Sequence, residues 1–203
     1  MVLMKTMISR SLLVLLCWSL LCGVVFAAVT FDTSIIDPST VTPKKKIALI
    51  FVNNAKSTYD AELNAMISDN FDQLLKPKYE VISGSKYVEL LNKAGIVDIT
   101  TAERVDIMAI VKGEDVDYIF YAELQPFLRK EKITFFTYGL EMTAIVPIKI
   151  IDLKENRYIY NGKFTELAKD SSAIGGIGNK SVALKALRST LDKMNDVVAA
   201  RMP

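Results

Sequence analysis

The segment with the clearest potential for chemistry is Gly175–Ser181, which reads GGIGNKS. Glycines before a helix can turn backbone N–H groups toward an anion, and a nearby lysine can bind phosphate. The phosphate-loop motif, however, has glycine directly before its lysine, whereas Asn179 precedes Lys180 here. Two interpretations follow: a small phosphate- or nucleotide-binding enzyme that uses this loop, or a connection in which Asn179 or Ser181 caps the last helix. The departure from the motif favours the connection.

Three carboxylates, Asp117, Glu123 and Glu141, fall on predicted strands. If those strands pair, the three side chains could share one face and resemble an acid pair. Carboxylates on a strand more commonly keep one face of a sheet hydrated. We therefore predict a hydrated face and assign no catalytic residue.

The sequence contains no histidine, and both of its cysteines, Cys17 and Cys22, lie in the first 27 residues. The absence of histidine excludes Ser-His-Asp and Cys-His mechanisms. Without histidine and with so few cysteines, the usual zinc sites are excluded as well. Carboxylate chemistry, a lysine or tyrosine base, or an oxygen-ligand metal site remain as alternatives. Since no calcium-loop pattern is visible, we predict a protein that is not an enzyme and has no metal or cofactor.

The beginning of the chain has the pattern of a secretory signal peptide. Lys5 and Arg10 are the only charged residues before Asp32, and an apolar run follows them from Leu12 to Phe26. A basic start, an apolar core and the small-residue exit at Ala27 predict a signal peptide over residues 1–27 and export to the periplasm or the extracellular space. The alternative is an uncleaved helix that anchors the protein, because this run approaches the length of a membrane span.

Removal of residues 1–27 leaves 23 of the 25 Lys and Arg residues against 23 Asp and Glu residues. The exported chain would then carry no formal net charge and would lack the basic surface of a nucleic-acid binder. We therefore expect no nucleic-acid partner, and contact with a membrane only through an uncleaved leader. A neutral surface is equally compatible with a monomer and a homodimer.

Residues 28–44 contain Pro38, Pro43 and several Ser and Thr, which predicts a flexible tether before a single domain at 45–203. Apolar runs and alternation predict strands, and apolar residues at three- and four-residue spacing predict helices. The expected class is α+β: a mixed sheet of about five strands with helices packed on it, in the order β-α-β-α-α-β-β-β-α. The predicted strands are 46–52, 79–82, 116–124, 133–151 and 157–167, and the predicted helices are 58–75, 85–91, 100–112 and 180–200.

Local patterns refine this outline. The continuously apolar run 47–52 predicts that the first strand lies in the interior of the sheet. Gly95 is expected to take the left-handed conformation at the end of the second helix. Thr100 and Glu103 have the spacing of a capping box, which predicts the start of the third helix.

The long strand 133–151 alternates between apolar and polar residues, which places Lys149 on its polar face. Pro147 lacks a backbone N–H, so we expect a bulge or an edge of the sheet at this position. Residues 152–156 are expected to form a hairpin turn into the strand that follows.

Four aromatic residues, Phe127, Phe135, Phe136 and Tyr138, surround a charged segment that we expect at a hairpin tip. An exposed aromatic tip could contact a partner or a membrane surface, or the four rings could fold back onto the core. The strand Arg157–Leu167 is expected to form an edge of the sheet, and an edge can recruit a strand from a partner.

The segments VDYIFYAEL (116–124) and VPIKIIDLKENRYIYNGKF (146–164) carry a resemblance to a known family. Over about residues 45–200 the chain resembles the amino-terminal domain of the periplasmic protein TolB and the related domain of the curli-secretion channel. It departs from the group at Asn156, where glycine is common, and at Tyr160, where tryptophan is common. The resemblance implies a noncatalytic envelope domain, an accessory or adaptor that docks onto envelope proteins, and transfers no site residues.

Overall fold

The computed structural model describes residues 43–173 and 177–203. Within them the chain forms a single α+β domain with a mixed, open sheet, which confirms the predicted fold class and adds a sixth strand. The strands are β1 (Lys46–Asn53), β2 (Glu80–Ser83), β3 (Tyr118–Leu124), β4 (Leu128–Ile133), β5 (Tyr138–Asp152) and β6 (Arg157–Ser172). The helices are α1 (Asp60–Leu75), α2 (Ser85–Lys93), α3 (Arg104–Val111) and α4 (Asn179–Arg201). The predicted leader and all but the last two residues of the predicted tether lie outside the described residues.

The sheet has a parallel half and an antiparallel half. β1 lies between β2 and β3 and is parallel to both, so that it occupies the interior as predicted. β5 is antiparallel to β3, β4 and β6. Because β6 pairs with β5 along its whole length, β3 and β4 share the opposite edge of β5. In the described sheet β6 is therefore a terminal strand, which confirms the expected edge.

Pro147 accounts for the interruption between β3 and β4. The backbone of Ile145 accepts a hydrogen bond from the N–H of Gln125 at 3.0 Å. Along a strand, the backbone N–H and C=O groups of residues two apart point toward the same neighbouring strand. Position 147 would therefore donate an N–H toward β3 and β4, and proline has no N–H to donate. The β3 ladder ends at Ala122↔Ile148, and the β4 ladder begins at Leu128↔Thr143. A bulge was also an expectation at Pro147, but the irregularity lies at Ile150 and Ile151, on the β6 side.

Helices cover both faces of the sheet. α1 and α4 pack on one face, where Leu63, Phe71, Leu187 and Met194 belong to the same buried cluster. α2 and α3 pack on the other face through a second cluster. β1 contributes to both, which explains why its sequence is continuously apolar rather than alternating.

Two helices are capped differently from the sequence prediction. Thr100 and Glu103 do not form the expected capping box, because the N–H and hydroxyl of Thr100 both donate to Asp98 Oδ1, at 2.8 and 2.6 Å. α3 begins at Arg104, with Glu103 in the N-cap position. α4 has Gly178 as its N-cap, which corrects the expectation that Asn179 or Ser181 caps it. Gly95 does take the predicted left-handed conformation, with φ of 84°.

Candidate functional site

The charged segment that the sequence analysis placed at a hairpin tip is itself a strand, β4, and it pairs with β5 from Leu128↔Thr143 to Ile133↔Tyr138. The connecting turn is closed by its two threonines. The N–H of Thr134 donates to the carbonyl oxygen of Thr137 at 2.8 Å, and the N–H of Thr137 donates to Thr134 Oγ1 at 3.0 Å. These bonds fix the backbone of a turn that carries Phe135 and Phe136.

The structure divides the four predicted contact aromatics into two pairs. Phe135 is 95% exposed and Phe136 is 76% exposed, and their rings contact each other edge to face with centroids 5.0 Å apart. Phe127 and Tyr138 are half-buried and pack with Leu140 of β5. Phe135 and Phe136 therefore belong to the exposed tip, whereas Phe127 and Tyr138 belong to its support.

Positive charge lies directly behind the tip. Arg129 forms an ion pair with Glu131. The pKa of Arg129 is raised, mainly by a hydrogen bond with Tyr138 and to a smaller extent by the negative charge of Glu131. On the neighbouring strands Lys169 pairs with Glu141 at 2.9 Å. Among the residues that the structure describes, Lys130 and Lys132 have no such ion pair. We call the exposed apolar surface of Ile133, Phe135 and Phe136 the aromatic tip.

The glycine-rich segment is described only from Ile177 onward, so Gly175 and Gly176 lie outside the described residues. At its end, Lys180 pairs with Glu62 of α1, and this hydrogen bond lowers the pKa of Glu62. Ser181 Oγ donates to the carbonyl oxygen of Gly178 at 2.9 Å. The lysine that would bind phosphate thus already neutralises a carboxylate.

The structure does not bring the three predicted carboxylates together. Asp117 accepts the backbone N–H of Lys46 at 2.8 Å, and Glu141 pairs with Lys169. Strand alternation places Glu123 and Glu141 on the same face of the sheet. The β3–β5 register, continued by one residue beyond Ala122↔Ile148, places Glu123 opposite Pro147, which is six residues from Glu141 along β5. At about 3.3 Å per residue this separation is about 20 Å, too long for an acid pair.

Glu123 differs from the prediction of a hydrated face, since it is only 8% exposed. It accepts hydrogen bonds from the Tyr121 hydroxyl at 2.8 Å and from Asn54 Nδ2 at 2.9 Å. The pKa of Tyr121 is raised, mainly by burial and to a smaller extent by its hydrogen bond with Glu123. The carboxylate therefore acts as a buried acceptor that joins Asn54, the residue after β1, to β3.

Lys149 is a second buried polar residue, 7% exposed, and the alternation of β5 had placed it on the polar face. Its Nζ donates to the carbonyl oxygen of Ala102 at 2.7 Å. Ala102 belongs to the connection between α2 and α3, which covers this part of the sheet. Sequence alternation gave the correct face, but it could not show that a distant loop covers that face.

The described residues hold no cluster of three or more acidic side chains suited to a metal ion. In the same part of the chain, no helix has the length and apolar character needed to cross a membrane.

No protein-family model matches the chain, and no curated protein matches it. A lipoprotein from Neisseria meningitidis is 10% identical, with a TM-score of 0.38 over 73% of this chain and 99% of that one. A hypothetical protein from Chlamydia trachomatis is 15% identical, with a TM-score of 0.45 over 77% and 99%. The LpoB C-terminal domain from Escherichia coli is 13% identical, with a TM-score of 0.32 over 62% and 84%. Bacterial lipoproteins are thus among the structural neighbours. The resemblance to TolB and the curli channel is not confirmed. Sequence identities and TM-scores of this size assign no function.

Proposed function

We propose that this chain is an exported, noncatalytic envelope domain that acts by binding another envelope protein through the aromatic tip. The observation that carries the proposal is the exposure of Phe135 and Phe136 on a closed turn. Export rests on the leader-like pattern of residues 1–27. An accessory or adaptor needs a contact surface and no reacting group.

The tip has the physical properties of an interface centre. Burial of a phenylalanine side chain stabilises a complex by roughly 1.5–3 kcal/mol, so two adjacent rings provide a substantial driving force. Aromatic residues at the centre of a contact commonly dominate its binding energy. Since hydrogen bonds of Thr134 and Thr137 already hold the turn, binding would order little additional backbone.

The surroundings of the tip favour a protein over a lipid surface. On β4 the acidic Glu131 lies among the basic Arg129, Lys130 and Lys132, and on the neighbouring strands Glu141 pairs with Lys169, so that both signs of charge surround the tip. A mixed polar rim around an apolar centre is typical of protein interfaces. The rival phosphate-binding function gains no support, because Lys180 is engaged by Glu62.

Site-specific photocrosslinking in intact cells tests the proposal. We expect a crosslinker at position 135 to capture a defined envelope protein, and the same group at position 97 to capture none, since Val97 is 85% exposed but belongs to the connection between α2 and α3, not to the hairpin. Substituting Phe136 with Ser should abolish the crosslink from position 135. Capture of lipid alone, or equal capture from positions 135 and 97, would contradict a protein partner.

A stability measurement separates loss of contact from loss of fold. The double variant Phe135→Ser and Phe136→Ser should melt at the temperature of the parent, because substitutions of exposed residues rarely change stability by more than about 0.5 kcal/mol. A clear decrease in melting temperature would show that the two rings support the domain instead of binding a partner.

A further inference from the structure

A row of polar side chains crosses three strands on the face of the sheet that carries α2 and α3. Tyr121 pairs directly with Lys149, and Lys149 pairs directly with Asn161. Lys163 pairs with Pro147 and is therefore diagonal to Lys149 on the same face, with the Cα atoms about 7–8 Å apart. The sheet thus brings two lysines and an amide to one small area.

The connection between α2 and α3, residues 94–103, covers this row. Its Ala102 carbonyl oxygen accepts the hydrogen bond from Lys149 Nζ. Two cavities, of about 230 and 430 Å³, meet at the cover and share Thr100, Lys149 and Asn161 in their walls. The ammonium group of Lys149 therefore lies in a roofed space between two open volumes.

The electrostatics of this space favour an anion. A lysine ammonium has three N–H donors, and the Ala102 carbonyl accepts one of them. Within the described ranges no carboxylate lies within ion-pair distance of Lys149. Burial lowers the pKa of Lys149, and Asp98 counteracts this from a longer distance. A buried charge with so little compensation is costly, and a bound anion would lower that cost.

The neighbouring donors limit which groups can bind the anion. The Thr100 hydroxyl donates to Asp98, and the Tyr121 hydroxyl donates to Glu123. Lys149, Asn161 and Lys163 thus supply the donors that face the smaller cavity, and no Asp or Glu lines it. The larger cavity is lined by Glu103 and Arg104, which are of opposite charge, so the smaller cavity is the one suited to an anion.

We propose that Lys149, Asn161 and Lys163 form a binding site for a small oxyanion, the carboxylate or phosphate group of a small molecule. Lys149 supplies the buried charge, Asn161 donates through its amide, and Lys163 adds a second charge at the exposed side. The site lies on the opposite face of the sheet from α4 and is independent of the aromatic tip.

An NMR titration of the ¹⁵N-labelled exported chain tests this site with three probes: inorganic phosphate, acetate and, as the control for ionic strength, chloride. We expect saturable amide shifts at residues 98–102, 147–149 and 161–163 with phosphate, acetate or both, and none with chloride. Phosphate alone would identify a phosphate ligand, and acetate alone a carboxylate ligand. Equal shifts with chloride, or no saturation with either oxyanion, would overturn the proposal.

Matched lysine variants locate the binding. Lys149→Met should weaken binding by about tenfold or more, because a hydrogen bond to a charged group is lost. Lys180→Met, at an exposed lysine on α4, should leave binding unchanged. If Lys149→Met does not fold, the exposed positions serve instead: Asn161→Ala and Lys163→Met should each weaken binding at an unchanged melting temperature. Unchanged affinity in all of the site variants would show that the shifts arise elsewhere.

Discussion

Glu123 keeps its carboxylate in a largely buried position because Tyr121 and Asn54 donate hydrogen bonds to it. A buried carboxylate without donors would cost several kcal/mol, so these two bonds are a condition for its presence. Lys149, on the same face, has a single carbonyl partner and two adjoining cavities. The two residues illustrate different outcomes for a buried charge. Hydrogen bonds within the domain compensate the carboxylate of Glu123, whereas the ammonium group of Lys149 keeps donors for the proposed anion.

Tyr121→Phe should destabilise the domain by about 1–3 kcal/mol at neutral pH, because Glu123 loses a buried donor. Urea unfolding of the variant and the parent measures this difference. Tyr160→Phe is the matched control, since Tyr160 is half-buried and its ring stacks on Phe164. Equal losses in the two variants would contradict a specific role for the Tyr121 hydroxyl.

The same pair predicts a pH dependence. The pKa of Tyr121 is raised in the folded protein, so its hydroxyl stays protonated where the unfolded chain, with a tyrosine pKa of about 10, begins to ionise. The stabilisation is complete below about pH 10 and is lost as the pH rises further. Urea unfolding between about pH 9 and 11 should give a less steep decline for Tyr121→Phe than for the parent. Parallel declines would refute this assignment.

At the scale of elements, α4 and the β4–β5 hairpin have contrasting roles. α4 buries a continuous apolar stripe, including Ala183, Leu187, Leu191 and Met194, against the sheet. The hairpin extends beyond the end of β1 and leaves β4 exposed along its whole length. Stability therefore depends on the helix, whereas the proposed contact with a partner would depend on the hairpin.

Leu187→Asp should destabilise the domain by several kcal/mol, because Leu187 is fully buried and the new charge would have no partner there. Thermal unfolding followed by circular dichroism measures the effect. Ser189→Asp adds the same side chain two residues later, at an exposed position, and should change the melting temperature little. If both variants melt like the parent, α4 is not part of the core.

At the scale of the whole molecule, the described domain is joined to a segment whose composition differs sharply from its own. Residues 1–27 contain two basic residues, no acidic ones and both cysteines, whereas the rest of the chain has balanced charge. A proposed role in the envelope depends on this segment as a signal for export. The aromatic tip and the Lys149 site would then be available in the same compartment.

Amino-terminal sequencing of the protein from its native cells tests the proposed export. We expect the chain to begin at Ala28, because Val25-Phe26-Ala27 provides small or β-branched residues at the positions that signal peptidase reads. Fractionation should place this shortened chain among the soluble envelope proteins. A chain that still begins at Met1 in the membrane fraction would indicate an anchored protein.

The sequence by itself determined the local features: the interior strand 46–52, the two long helices, the hairpin after Asp152 and the left-handed Gly95. Each depends on residues close in the chain, such as apolar spacing or a glycine that tolerates positive φ. Only the tertiary structure separated Phe135 and Phe136 from Phe127 and Tyr138, and only it showed that Glu123 and Lys149 are buried. These outcomes depend on which distant segment covers a given face, and strand alternation assigns a side chain to a face without revealing what covers it.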